Sequence, residues 1–189
     1  MKYLYFFVVI FALFLSAACR PAAKPLSISN KPIQTNRMPR TNLRMPPTKP
    51  LEQMGWKIID GKFEKLGDFK GKIVILDFWA TYCPPCIEEI PHLMELQKKY
   101  ESRGLQVIGL HVGGEEDKPK VPEFVERLKI DYPLAVPEDE LTYFLLGDDN
   151  SIPQTLIFDR NGKVIKQFVG YDAEVKKGID DTLEMLFTD

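Results

Sequence analysis

Cys83 and Cys86 stand two residues apart in the stretch DFWATYCPPCIEEIP (77–91), and the chain has only three cysteines. Two thiols at this spacing can serve as a structural staple, as half of a metal site, or as a redox couple. Proline is well suited to the first position of a helix, so the spacing predicts a helix beginning at Pro84. Residues i and i+3 at a helix start lie about 5–6 Å apart, which is disulfide distance. Such a pair closes and reopens without refolding the chain. Cys83 becomes the N-cap, where free N–H groups and the helix dipole favour a thiolate and lower its pKa from about 8.5 towards 7. Cys83 is then the exposed nucleophile and Cys86, one turn inside, the resolving thiol. The two successive prolines leave the first turn with one N–H fewer than a Gly-Pro pair would supply, which limits that stabilisation.

The other two readings are weaker. A structural zinc site needs four ligands, and the remaining candidates are Cys19, His92 and His111. No metal site is expected. Haem attachment needs a histidine directly after the second cysteine, and Ile87 stands there. A permanent staple over so short a loop constrains the unfolded chain only weakly.

The elements needed to present this pair are legible around it. KIVILDFWA, ending at Ala80, is a nearly continuous apolar run, as in a strand buried on both faces. From Pro84 to about Ser102 the apolar positions Ile87, Ile90, Leu93 and Met94 recur at helical spacing, and Pro91 removes one internal hydrogen bond from that helix. GWKIIDGKFEKL reads as a hairpin around Asp60-Gly61, and Leu105–Val112 as a strand. Val121–Lys129 is a short helix, YPLAV a brief strand and Glu138–Leu146 another helix. Thr155–Phe158 and Lys163–Phe168 flank the turn DRNGK, and the end is helical, with Asp172 as N-cap and Val175, Ile179 and Leu183 on one face. Strands alternating with helices predict an α/β fold, a three-layer sandwich with a mixed central sheet and an N-terminal hairpin.

The first 50 residues are of another kind. Met1–Pro50 holds eight of the 25 Lys/Arg and no acid, so Leu51–Asp189 sets 17 bases against all 27 acids. An acidic body behind a basic leader argues against nucleic acid as a partner. Residues 1–18 read as an export signal: Lys2, the apolar run Tyr3–Leu15, then the small residues Ser16, Ala17 and Ala18. The apolar run is shorter than the roughly 20 residues a membrane-spanning helix needs. Cys19 sits where a bacterial lipoprotein carries its lipidated cysteine, although Ser16 replaces the usual aliphatic residue and equally suits ordinary secretory cleavage. Within residues 19–50, Arg20–Pro50 carries seven prolines and seven Lys/Arg without apolar periodicity, which predicts a disordered tether. The folded domain is expected over residues 51–189.

DFWATYCPPC, with Pro91 five residues after the second cysteine, resembles the thioredoxin superfamily. GKIVILDFWATYCPPCIEEIPHLMELQKKY (71–100), followed by IPQTLIFDRNGKVIKQFVG (152–170), resembles more narrowly the TlpA/ResA group of extracytoplasmic thiol–disulfide oxidoreductases. The likeness covers roughly Gly55 to Phe187. The chain departs from the group at Tyr82, where tryptophan is usual, and at Asp77, where asparagine is frequent.

Several expectations follow from the resemblance. Ile152–Pro153 matches the superfamily's cis-proline, which faces the cysteines, and the Ile152 backbone would pair with an extended substrate segment. Trp79 and Tyr82 would be aromatic flanks of the site, with plain packing the alternative for Trp79. Asp77, six residues before Cys83 on a buried strand, has a raised pKa and suits the base that takes the proton of Cys86. Pairing of Asp77 with a neighbouring lysine is the competing reading. His92 is expected on the helix surface, His111 near the edge of the domain, and GGEEDKPK and PEDEL as solvated acidic loops.

The function implied is reduction of disulfides in exported proteins, apocytochrome c among them, at the outer face of the membrane or in the bacterial periplasm. The implied partners are a membrane-embedded thiol donor and the membrane itself through the N-terminal anchor, with no cofactor beyond the Cys83–Cys86 couple. The alternatives are the reverse reaction, disulfide donation; a thiol peroxidase, whose Pro/Thr-flanked cysteine motif is absent; and a copper-binding assembly factor, whose C-x-x-x-C spacing and distal histidine are absent.

Overall fold

The computed structural model describes residues 47–59 and 61–188. The export signal at residues 1–18, Cys19, most of the tether and Asp60 lie outside the described residues.

β3 (Ile73–Trp79) is buried along its whole length because it lies inside the sheet and both its faces are covered. Its side chains alternate between those faces. Ile73, Ile75 and Trp79 join one apolar cluster, and Val74, Leu76 and Phe78 join another. Asp77 therefore falls on the first face, in the middle of an otherwise apolar run.

β4 (Leu105–His111) runs parallel to β3 with Asp77 opposite Gly109 and Trp79 opposite His111. β5 (Leu134–Pro137) is parallel to β4. The hairpin β1 (Gly55–Ile58) and β2 (Phe63–Lys65) adds antiparallel to β5. β6 (Gln154–Phe158) adds antiparallel to the other side of β3 and carries β7 (Val164–Val169). The order is β2-β1-β5-β4-β3-β6-β7, a mixed seven-stranded sheet.

Among the described residues, α1 (Pro84–Tyr100), α2 (Val121–Leu128) and α4 (Ala173–Thr188) cover the Asp77 face, through Ile90, Leu93, Phe124, Ile179 and Leu183. α3 (Asp139–Leu146) covers the other face through Leu141. The fold is thus the expected three-layer α/β sandwich, thioredoxin-like, with its N-terminal hairpin. Asp172 caps α4 as read from the sequence, its Oδ1 accepting from the amides of Glu174 at 2.9 Å and Val175 at 2.8 Å.

Three expectations need correction. Thr48 and Lys49, assigned to the tether, are bonded to the domain. Thr48 donates to Glu140, and Lys49 Nζ and the Gly55 amide both donate to Glu138, at 2.7 and 2.9 Å. Glu138 of PEDEL is therefore a structural acceptor for the end of β1 rather than a solvated charge. His92 is buried, and its Nε2 lies 2.9 Å from Asp180 Oδ1, because α4 packs over the helix face where it sits.

Candidate active site

Parallel strands β3 and β4 end together, and the chain leaving β3 turns at once into α1. The turn is closed by the Cys83 amide, which donates to the Ala80 carbonyl at 3.3 Å. Cys83 is the N-cap of α1 in extended conformation, and Pro84 and Pro85 fill the first two helical positions. The Cys86 amide donates to Cys83 Sγ at 3.3 Å, the third-position contact expected of an N-cap. Cys83 and Cys86 are joined as a disulfide with Cα atoms 5.3 Å apart, inside the range inferred from the spacing.

Neither cysteine is open to solvent. Cys83 is 4% exposed and Cys86 1%, so the order from outside to inside is as expected but Cys83 is more covered than the sequence suggests. Both belong to the apolar cluster of α1 and β3, against which Ile87 and Ile152 pack. Ile152–Pro153 is a cis peptide, Pro153 is buried, and β6 begins directly after it. Tyr82, the residue before Cys83, is exposed at 62%. Trp79 is not a flank. It is wholly buried, stacked on Phe124 with ring centroids 5.1 Å apart and edge-on to His111 at 5.2 Å, so packing is its role.

Asp77 is 1% exposed, and neither of its carboxyl oxygens has a hydrogen-bond partner among the described residues. No lysine meets it. Burial pushes its pKa well above the ordinary carboxylate value, and the charge of Glu89 pushes it further. Glu89 is the residue the sequence reading missed. It lies three positions after Cys86, on the same face of α1, and is fully buried. Burial raises it to about 7, against the opposing effect of the Thr155 hydroxyl, which donates to its Oε1 at 2.5 Å. Thr155 is itself the register partner of Asp77 on β6. Glu88-Glu89 looks like surface charge in a one-dimensional reading. The clue was the i+3 offset from a cysteine already assigned inside.

Tyr132 completes this buried polar group. Its hydroxyl has no hydrogen-bond partner among the described residues, and burial, then the charges of Asp77 and Glu89, push its pKa well up. Gly109 leaves the room for it: a Cβ there would lie 2.9 Å from Trp79 Nε1 and 3.1 Å from Tyr132 Cε2. The arrangement is a closed thiol pair at a helix start, with two carboxyls of raised pKa in the core, Glu89 one turn after the inner cysteine and Asp77 on the sheet face that α1 covers. It can exchange disulfides and hold the proton that exchange releases.

The chain matches the Redoxin family over residues 58–183. It is 33% identical to the thiol-disulfide oxidoreductase ResA of Geobacillus thermodenitrificans over 128 residues, 68% of this chain and 71% of that protein. It is equally 33% identical to ResA of Bacillus thuringiensis subsp. konkukian over 131 residues, with the same coverage. Among solved structures it superposes on a thiol:disulfide interchange protein of the thioredoxin family from Chlorobium tepidum with a TM-score of 0.60, at 30% identity, covering 74% of this chain and 97% of that one.

Proposed function

The chain belongs to the Redoxin family as a thiol–disulfide oxidoreductase, and from that premise we propose that it reduces disulfides in exported proteins. The observation that carries the reading is the Cys83–Cys86 disulfide at the start of α1 with the buried Asp77 and Glu89 carboxyls on the Cys86 side.

In the reduced protein, the Cys83 thiolate attacks one sulfur of the substrate disulfide. That S–S bond breaks, a mixed disulfide forms, and the first substrate sulfur leaves as a thiolate. Cys86 then gives its proton to the buried carboxyl site and attacks Cys83 Sγ. The second substrate sulfur departs, and the Cys83–Cys86 disulfide closes. Two electrons have passed to the substrate. Glu89, with a pKa of about 7, is the better matched acceptor at neutral pH. Asp77 is raised as well, by burial and then by the charge of Glu89, so the two carboxyls do not both carry charge in the pocket.

Ile152 offers its backbone beside the pair, and Tyr82 an aromatic surface, to an extended segment of the substrate. The couple itself carries the electrons, so no cofactor enters. Residues 1–18 direct export, Cys19 carries a lipid, and the chain from there to residue 47 holds the domain off an anionic surface by its length and positive charge. A membrane-embedded thiol donor returns the couple to its reduced form, and apocytochrome c is one candidate substrate. Thiol trapping in intact cells tests the direction. A pair held mostly reduced supports the reductase, and a pair held mostly oxidised makes the protein a disulfide donor.

A further inference from the structure

The loop GGEEDKPK (113–120), read from sequence as solvated acid, buries one of its acids completely. Asp117 is 2% exposed, and its carboxylate is spent on the chain immediately before Cys83. Oδ2 accepts from the Thr81 amide at 2.9 Å, and Oδ1 accepts from the Thr81 hydroxyl. Oδ2 also accepts from His111 Nε2 at 3.0 Å. Lys120 Nζ approaches Oδ1 at 3.5 Å from the solvent side. Burial pushes the Asp117 carboxyl up, but the donors from Thr81 and His111 outweigh it and bring it to about 2. The group is a fixed anion at any working pH.

We infer that Asp117 is a positioning residue for Cys83, fixing the Ala80–Cys83 turn through Thr81 while His111 fixes Asp117. This deepens the reading of Cys83 as nucleophile and rests on it. Thr81 and Tyr82 are the two central residues of that turn. Tyr82 projects into solvent, whereas Thr81 is bonded through both its amide and its hydroxyl to Asp117, which ties the centre of the turn to the body. Cys83 is the next residue but one, and where it stands decides whether its sulfur meets the Cys86 amide.

The other end of the clamp is equally rigid. His111 ends β4 opposite Trp79, and the Val112 amide donates to the Trp79 carbonyl at 2.9 Å. The network therefore closes a ring from the end of β3, through the turn, to Asp117, to His111 and back to β3. Gly113 is the residue this ring requires for space. A Cβ there would lie 2.4 Å from Asp117 Oδ2 and 2.7 Å from His111 Nε2. A side chain there would force Asp117, His111 or the loop itself to shift.

The test uses the full-length chain, reduced, and measures the rate of Cys83 alkylation by iodoacetamide across pH, together with the thermal midpoint. Thr81→Val removes the hydroxyl donor and keeps the amide; Thr81→Ser keeps both. Thr81→Val should slow alkylation at neutral pH by about threefold and raise the apparent Cys83 pKa, while Thr81→Ser stays within about twofold of the wild type. Asp117→Ala should slow it by about tenfold, and Asp117→Asn, which keeps one acceptor oxygen, should fall between. A merely structural role predicts lowered midpoints with an unchanged Cys83 pKa in every folded variant, and that result overturns the inference. Alkylation needs no protein substrate. If the wild type reduces no protein disulfide, the proposed function fails while the clamp is still judged on these rates.

Discussion

Glu89 stands one turn beyond Cys86 on α1, and its charge raises the pKa of Asp77 on β3, though both carboxyls are sealed from solvent. Two acids forced together in the core do not both ionise at neutral pH. The pair is a reservoir for one proton next to the thiol that must lose one.

Glu89→Gln should therefore slow the resolving step. With a pKa of about 7, Glu89 changes from acid to base across the physiological range, so the wild-type rate should rise through neutral pH. The variant should lack that rise and lose at least about tenfold at pH 7, since positioned general bases contribute about 10²–10⁴-fold. Stopped-flow measurement of mixed-disulfide decay checks it. A wild-type pH profile in Glu89→Gln would move the proton role to Asp77 alone.

The same carboxyls make stability depend on pH. The folded pKa of Glu89 lies above its unfolded value of 4.5, so the native chain holds a proton that the unfolded chain has released. Stability is greatest below about pH 4.5 on this account and falls as pH rises through about 7. At 1.36 kcal/mol per pKa unit the loss is about 3 kcal/mol for Glu89. Urea denaturation at pH 5 and pH 8 should show this fall in the wild type, and both Glu89→Gln and Asp77→Asn should flatten it. Asp77→Asn should also slow turnover, so the more stable protein is the poorer enzyme.

The roles of the two cysteines separate by substitution. Cys83→Ala should abolish exchange, whereas Cys86→Ala should accumulate a mixed disulfide with substrate, visible as a band of added mass that a reducing agent removes. Retained exchange in Cys83→Ala would reverse the assignment.

The sequence made the strands, the helix start at Pro84 and the turn before β7 legible, because period and punctuation are local properties. Asp77 could be read as buried because its neighbours on both sides are apolar. Glu89, Asp117 and His92 could not. Glu89 and Asp117 each directly follow a glutamate, as solvated acids do, and His92 carries no sign of which way its helix face turns; each is paired with a partner far along the chain: Thr155 for Glu89, Thr81 for Asp117, Asp180 for His92. For Trp79 a flank of the site and plain packing both stood open, and the alternation of β3 decides for packing by pointing it inward onto Phe124.

Cys19 should determine where the protein resides and not its chemistry. Cys19→Ser is expected to leave disulfide exchange by the purified chain unchanged and to release the protein from membranes, as loss of an acyl anchor should. Fractionation of cells with both forms measures this, and release of neither form would assign the attachment to the apolar run before it.

The dipeptide between the cysteines should tune the couple. An N-cap side chain takes its hydrogen bonds from the amides of the second and third helical residues. The third is Cys86, whose amide lies 3.3 Å from Cys83 Sγ. The second is Pro85, which has no N–H to give. Pro84 occupies the first position, whose amide faces away from the cap, so the proline that withholds a donor from the thiolate is Pro85 and not, as the comparison with a Gly-Pro pair suggested, Pro84. A hydrogen bond to a charged group contributes about 1.5–3 kcal/mol, and one pKa unit corresponds to about 1.4 kcal/mol. Pro85→Ala should therefore lower the Cys83 pKa by about one unit, with Pro84→Ala changing it much less. A better stabilised thiolate favours the reduced protein, so the Pro85→Ala couple should become more oxidising by about 30 mV, the equivalent of about 1.4 kcal/mol for two electrons. Thiolate absorbance against pH and equilibration with glutathione measure the two quantities. A higher Cys83 pKa in Pro85→Ala, or a larger effect at Pro84, would show that the prolines act through the shape of the turn and not through the missing amide.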